Sequence, residues 1–300
     1  MTGARHRQAR PRRFVQADVF SPVPLRGNGL AVVVDAEGLD DDTMQTFAAW
    51  TNLAETTFLL PPDRPDADYR LRIFTPGREM PFAGHPTLGS CAAWLHCGGV
   101  PRTAGRVVQD CAIGLVEIDL TGDVPAFAAP PTAIADIPGA EIDRHLAALG
   151  LAAPDVVSAV RLDNGPVWTV FELRSAAAAL AIDADRVRWP DFAGLGVFAR
   201  HDPGIDHEYG IFAPHPASEP FDYEVRNLAP SSGMREDPIT GSLNAAIACW
   251  LRAEGRLTDP LVMRQGTRMG RAGRVHIRPD GARILIGGAT HVLIEGTVTV

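Results

Sequence analysis

The chain contains no lysine: all 28 of its Lys-plus-Arg positions are arginine. Pyridoxal-phosphate enzymes and Schiff-base aldolases need a lysine amine, and P-loop nucleotide binders need the lysine of their phosphate loop. All three classes are excluded in their usual form. No G-x-G-x-x-G follows a strand pattern, so the dinucleotide fingerprint is missing too. No apolar run approaches the roughly 20 residues of a membrane-spanning helix. Cysteine is scarce, at Cys91, Cys97, Cys111 and Cys249. Their spacing matches neither a zinc site nor a C-x-x-C redox pair, so reduced, buried thiols are expected. Excess positive charge is also lacking: the formal net charge is -8. That argues against a nucleic-acid partner and against an anionic membrane surface.

Three hundred residues, 46% hydrophobic and 21% charged, suffice for two domains with sizeable cores. Residues 1–13 carry Arg5, Arg7, Arg10, Arg12 and Arg13 with almost nothing apolar. The expectation there is a disordered basic tail rather than a signal peptide, with the cytoplasm as the default location. Strand patterns follow at Phe14–Phe20, Gly29–Asp35, Glu55–Leu60, Tyr69–Phe74, Gly105–Asp110 and Gly114–Leu120. Helices are expected at Asp41–Thr51 and Pro86–Cys97. Residues Gly122–Pro131, rich in Pro, Ala and Gly, read as a linker. Beyond them, strands are expected at Val156–Arg161, Val167–Leu173, Gly194–Ala199, Glu208–Ala213, Phe221–Leu228, Val262–Gln265, Gly273–Arg278, Arg283–Gly287 and His291–Val300. Helices are expected at Ala176–Val187 and Ser242–Glu254.

The second half repeats the first. Tyr69-Arg70-Leu71-Arg72-Ile73-Phe74-Thr75-Pro76 lies over Tyr223-Glu224-Val225-Arg226-Asn227-Leu228-Ala229-Pro230, with Tyr, Arg and Pro in common. Met80 falls on Met234. After a two-residue shortening, His85-Pro86-Thr87-Leu88-Gly89-Ser90 falls on Asp237-Pro238-Ile239-Thr240-Gly241-Ser242. Both segments lead into a helix containing Trp-Leu, Trp94-Leu95 and Trp250-Leu251. Asn28-Gly29 and Asn164-Gly165 form a weaker match. A duplicated unit of about half the chain is too long for a solenoid repeat and suits twin domains.

Each repeated turn presents a helix N-terminus, whose unpaired N–H groups and dipole attract carboxylates. Gly84, Gly89 and Gly241 allow a ligand close to the backbone. Two such ends facing each other would grip a small anionic substrate. On this alignment His85 and Asp237 occupy matching positions, one able to donate where the other accepts. Taken singly, His85 reads as a satisfied core histidine and Asp237 as an N-cap.

Five segments carry a family resemblance: Asn28; Asn52-Leu53-Ala54-Glu55-Thr56-Thr57-Phe58; Pro81-Phe82-Ala83-Gly84-His85-Pro86-Thr87; Glu236-Asp237-Pro238-Ile239-Thr240-Gly241-Ser242; and Gln265-Gly266-x-x-Met269-Gly270-Arg271. Together they resemble the PhzF family of phenazine-biosynthesis-like isomerases. The resemblance implies an α+β, diaminopimelate epimerase-like fold. Two similar lobes, each a curved, mostly antiparallel sheet around a central helix, would be related by pseudo-twofold symmetry. It implies a first lobe of residues 14–126 plus 288–300 and a second of residues 127–287. It implies Glu55 as the catalytic acid/base, with His85 and Asp237 holding and polarising the substrate. Gly84, Gly241 and Ser242 would line the binding site. No cofactor or metal is implied, and family members are commonly homodimers. Leu53, Ala54, Phe58 and Leu59 around Glu55 suggest an apolar pocket wall, a setting suited to a proton carrier.

The departures narrow the chemistry. Related epimerases and racemases use paired cysteines, and neither repeated turn holds one, so a single-carboxyl proton shuttle is favoured over a two-thiol racemase. Leu243-Asn244 stands where many family members have Ala-His, and Gly29 replaces a common proline. The function expected is a proton shift between carbons of a small carboxylate, trans-2,3-dihydro-3-hydroxyanthranilate-like or another cyclic amino acid. Two alternatives stand beside it: a small-molecule binder on the same fold that has lost catalysis, and an epimerase using Asp237 as second acid/base. His201, Asp202, Asp206, His207 and Glu208 are weak metal candidates, read more simply as a turn. Arg268, Arg271 and Arg274 could form an anion patch, with a solvated face or pairing between lobes the commoner reading.

Overall fold

The computed structural model describes residues 9–188, 190–201, 220–230 and 234–300. The expected strand Glu208–Ala213, and Asp202, Asp206, His207 and Glu208, lie outside the described residues.

The first half runs β1 (Pro11–Val19), β2 (Asn28–Val33), α1 (Asp41–Thr51), β3 (Glu55–Leu60), β4 (Tyr69–Phe74), β5 (Glu79–Met80), α2 (Gly84–His96), β6 (Arg106–Cys111), β7 (Gly114–Asp119) and β8 (Ala126–Ala128). Then come β9 (Ala133–Ala135), α3 (Gly139–Leu149), β10 (Val156–Asp163), β11 (Val167–Leu173), α4 (Ala176–Ala181), β12 (Leu195–Arg200), β13 (Tyr223–Leu228), β14 (Glu236–Asp237), α5 (Gly241–Ala253), β15 (Leu261–Gln265), β16 (Gly273–Asp280), β17 (Arg283–Gly287) and β18 (Thr290–Thr299).

The halves share one pairing scheme. In the first, β1–β2 is antiparallel, β2–β3 parallel, β3–β4 antiparallel, β4–β6 parallel, and β6–β7 antiparallel. In the second, β10–β11, β11–β12, β12–β13, β13–β15 and β15–β16 repeat that order of senses. Each sheet curves around one helix. α2 is thirteen residues long and buries Gly84 through Cys91 without a break. α5, equally long, buries Leu243 through Ala248. Both helices are buried around most of their circumference, as expected of a helix enclosed by a sheet. Leu88, Cys91, Leu243 and Ile247 belong to one apolar core that runs through both halves. The two-lobed α+β architecture is therefore present.

Several local expectations change. β1 begins at Pro11, not Phe14, so Pro11–Arg13 are not part of a disordered tail. They pair with Thr297–Thr299, and the buried Arg12 side chain donates to the carbonyls of Asp35, Glu37 and Val300. The linker Gly122–Pro131 contains a strand, β8, pinned between β7 and β17 with Phe127 fully buried. A boundary at residues 126 and 127 falls inside that strand. The helix expected to reach Val187 stops at Ala181. The carbonyls of Ala179 and Ile182 accept from the Arg226 guanidinium at 2.8 and 2.7 Å instead of continuing the helix.

Candidate active site

The structure revises the alignment of the two turns. Phe74 pairs with Glu79 and Leu228 pairs with Glu236, so Met80 corresponds to Asp237. α2 opens at Gly84 and α5 at Gly241, so His85 corresponds to Ser242. His85 is the second residue of a helix, whereas Asp237 ends a strand four residues before one. His85-Pro86-Thr87-Leu88-Gly89-Ser90 lies inside α2, while Asp237-Pro238-Ile239-Thr240 precedes α5. The sequence match misled because Pro is tolerated both before a helix and in its first turn.

The two helix starts nevertheless meet. A Cβ built on Gly241 would lie 3.5 Å from the Cα of Gly84 and 3.2 Å from the ring of Phe20. A Cβ on Gly84 would lie 2.5 Å from Phe127 Cζ. A side chain at Gly84 would need Phe127 to move, and one at Gly241 would press on Phe20. Neither N-cap residue, Ala83 or Thr240, caps its helix through a side chain.

Glu55 opens β3. The chain reaches it from α1 through Asn52, whose left-handed backbone (φ 54°) ends the helix while its N–H donates to the Ala48 carbonyl. The neighbouring hydroxyls of Thr51 and Thr56 are 2.7 Å apart and brace this corner. His85 Nδ1 lies 2.9 Å from Glu55 Oε2, and His85 is 4% exposed. Its Nε2 is buried with no hydrogen-bond partner. A buried ring nitrogen so left is costly, and a ligand donor or acceptor would satisfy it.

Asp237 stands across from this pair. Its carboxyl is pushed up from 3.8 to about 7, first by burial and then by the negative charge of Glu55. The hydroxyl of Thr240, the His85 ring and the Asn227 amide pull the other way. Thr240 Oγ1 accepts from Asn227 Nδ2 at 2.9 Å and from Gln265 Nε2 at 3.1 Å. Its own proton is thus left for Asp237 Oδ2. Asp237 Oδ1 accepts a 3.3 Å hydrogen bond from Asn28 Nδ2.

Gly84, His85, Glu55, Asp237 and Gly241 are thus brought together. Ser242 sits at the α5 start, where its carbonyl accepts from Asn164 Nδ2 at 2.8 Å. Asn164 braces its own half, unlike Asn28, so the weak Asn-Gly match is not a structural equivalence. The Leu243-Asn244 departure lies behind the site. Leu243 packs on Gly196, and Asn244 donates to the Thr240 carbonyl and Gln265 Oε1. The sequence assigns no role to Asn227 or Phe20, which have no spacing signal, or to Thr240, which enters only as a motif letter. Asn28 and Gln265 likewise enter only as motif letters. Arg271 bridges the halves by donating to the Leu25 carbonyl, and His201 stacks near the Phe221 ring. Among the described residues no group of three or more His, Cys, Asp or Glu is placed to hold a metal ion. No helix among them is long and apolar enough to cross a membrane.

Two like lobes wrapped around buried helices, joined at a shared pair of helix starts, define a diaminopimelate epimerase-like fold. A family model described as phenazine biosynthesis-like protein matches residues 17–300, and the chain belongs to that family. It is 33% identical over 298 residues to antisense-enhancing sequence 1 of Schizosaccharomyces pombe, covering 94% of this chain and 97% of that one. It is 33% identical over 278 residues to a trans-2,3-dihydro-3-hydroxyanthranilate isomerase of Pseudomonas aeruginosa, covering 90% and 91%. A PhzF-family phenazine biosynthesis protein of Bacillus anthracis superposes with a TM-score of 0.79 at 20% identity, covering 97% of this chain and 100% of that one.

Proposed function

We propose that this chain is an isomerase that moves a proton between carbons of a small carboxylate, using its own side chains as acid and base. The observation that carries this is the Glu55–His85 pair. A carboxylate is held at 2.9 Å by a buried imidazole whose other nitrogen is unpartnered, beside two helix starts without side-chain caps. Glu55 takes a proton from one carbon, the electron pair shifts along the unsaturated frame, and Glu55 returns the proton at another carbon. Composition and charge are unchanged. The helix starts bind the substrate carboxylate, and His85 and Asp237 orient its remaining polar groups. The relative named as a dihydro-hydroxyanthranilate isomerase supports a cyclic amino acid as the substrate class.

Glu55→Gln keeps the shape and removes the base. Turnover should fall by at least about a thousandfold while ligand binding survives. Full activity in that variant would sink the assignment.

Asp237 favours a second reading, epimerisation at one carbon by two acids. A carboxyl that titrates near 7 on the opposite half is suited to give or take a proton at neutral pH. Turnover in deuterium oxide separates the readings. A single-carboxyl shift keeps part of the original hydrogen in the product, whereas a two-acid epimerase places solvent deuterium at the inverted carbon. Binding of candidate carboxylates with neither turnover nor exchange would indicate a binder that has lost catalysis.

A further inference from the structure

Asn28 opens β2 in the first half and is 4% exposed. Its amide nitrogen reaches into the second half, 3.1 Å from the Ile239 carbonyl and 3.3 Å from Asp237 Oδ1. Both partners are acceptors, so the amide orientation is unambiguous, with nitrogen toward Asp237.

The residues leading to Asn28 are held unusually firmly. Asp18 Oδ2 accepts from the N–H groups of Arg26 and Gly27 at 3.1 and 2.9 Å. A Cβ at Gly27 would lie 2.4 Å from the Val19 carbonyl, so the chain is pressed against its own strand. Phe20 and Leu25 both take left-handed backbone, with φ of 66° and 68°. The same loop is stitched to the other half. Ala272 N donates to the Arg26 carbonyl and Arg274 N to the Phe20 carbonyl, each at 2.7 Å. Arg26 Nη1 donates to the Gly270 carbonyl at 2.8 Å. A flexible loop would need none of this. A loop that must hold one amide against one carboxyl across a boundary does.

We propose that Asn28 is a positioning residue, and that the rigid Phe20–Asn28 loop exists to fix the Asp237 carboxyl from the opposite half. The proposal rests on the reading that Asp237 faces the substrate. The groups around Asp237 are Glu55 and His85 from the first half, with Thr240 and Asn227 from its own half. Asn28 is the first-half group that donates a hydrogen bond to Oδ1. It holds that oxygen in place and favours its ionised form, against the push of Glu55.

The test reads the carboxyl directly. In the wild-type protein, selectively labelled for NMR, the Asn28 side-chain amide protons should shift with the same midpoint as the Asp237 carboxyl carbon. Asn28→Ala should move that midpoint upward from about 7, and Asn28→Asp, which keeps the size but turns the donor into an acceptor, should move it further. Melting curves establish that each variant is folded. A purely structural asparagine would lower the melting temperature and leave the midpoint where it was. That result, or a wild-type amide indifferent to the Asp237 titration, overturns the proposal. The wild-type measurement decides it even if neither variant folds. The functional reading is checked separately by deuterium exchange into a bound carboxylate. Coupled titrations with neither an isomerised product nor exchange would leave Asn28 in its role and defeat the isomerase.

Discussion

Asp237 binds its proton more tightly in the folded chain than in the unfolded one, and this has a direct cost. The unfolded carboxyl ionises near 3.8 and the folded one near 7. Below the lower value both states are protonated, and the full stability is present. As pH rises between the two values the unfolded state gains by ionising while the folded state does not, so stability is lost across that window and stays lost above it. Asp237→Asn removes the penalty. Its melting temperature should match wild type near pH 4 and exceed it at pH 8, by an amount worth about 1–3 kcal/mol given the partial solvent contact of the site. Thermal melts at the two pH values check this, and a variant less stable than wild type at pH 8 contradicts it. A carboxyl that costs stability at neutral pH fits the chemical role proposed for Asp237.

At the scale of elements, the repeated Tyr-x-x-Arg has a purpose that the sequence does not show. In both halves the arginine ties a two-residue strand to its neighbour, and that strand leads into the central helix. Arg72 on β4 grips Glu79 on β5 through two 2.7 Å bonds. Arg226 on β13 grips Glu236 on β14 at 3.0 and 2.8 Å. The first pair is open to solvent on the glutamate side, and the second is almost wholly buried. The same substitution should therefore give unequal results. Glu79→Gln should cost less than about 1 kcal/mol. Glu236→Gln leaves a buried guanidinium without its counter-charge and should cost about 3–5 kcal/mol in urea unfolding. Equal costs would remove the assigned asymmetry. Because Glu236 adjoins Asp237, its loss should also reduce turnover, whereas loss of Glu79 should not.

At the same scale, legibility depended on whether a signal was local. Asp41–Thr51, Glu55–Leu60 and Val167–Leu173 form as their patterns indicate, since capping, periodicity and proline stops act within one element. β8 was hidden because Ala126-Phe127-Ala128 has no pattern of its own and is a strand only by lying between β7 and β17. α4 was over-extended because the residue that ends it, Arg226, is more than 40 positions away. The equivalence of His85 and Asp237 failed for a related reason. Matching letters align sequences, but strand register decides which residues occupy like positions.

For the whole molecule, the halves are similar in pairing and unlike in chemistry. Thr56 pairs with Phe74 and Leu195 pairs with Leu228, so the counterpart of Glu55 is Gly194. The counterpart of His85 is Ser242. The first half supplies the carboxylate and imidazole of the proposed site, and the second supplies Asp237 and a helix start without a side-chain cap, so neither half holds the proposed site alone. The halves are joined where β8 pairs with β17, and the final strand β18 returns to lie along β1 over its whole length. Removing residues 290–300 would leave β1 as an open edge and strip one side of α2. The shortened chain should melt at least about 10 °C lower or fail to accumulate in soluble form. A truncated chain that melts like the whole would show β18 to be dispensable.

Most of the longer elements, the duplication, the blocks around Glu55, His85 and Asp237, and the exclusion of lysine chemistry were determined by the sequence alone. Each rests on residue identity or on spacing within one element. Which atoms meet was decided only by the tertiary structure. Glu55 and His85 are 30 positions apart and Asn28 and Asp237 are 209 apart. Burial and facing charge are properties of the space between elements. They make Asp237 an acid that titrates near neutral pH, leave one nitrogen of His85 open, and bring Asn28 to the boundary between the halves.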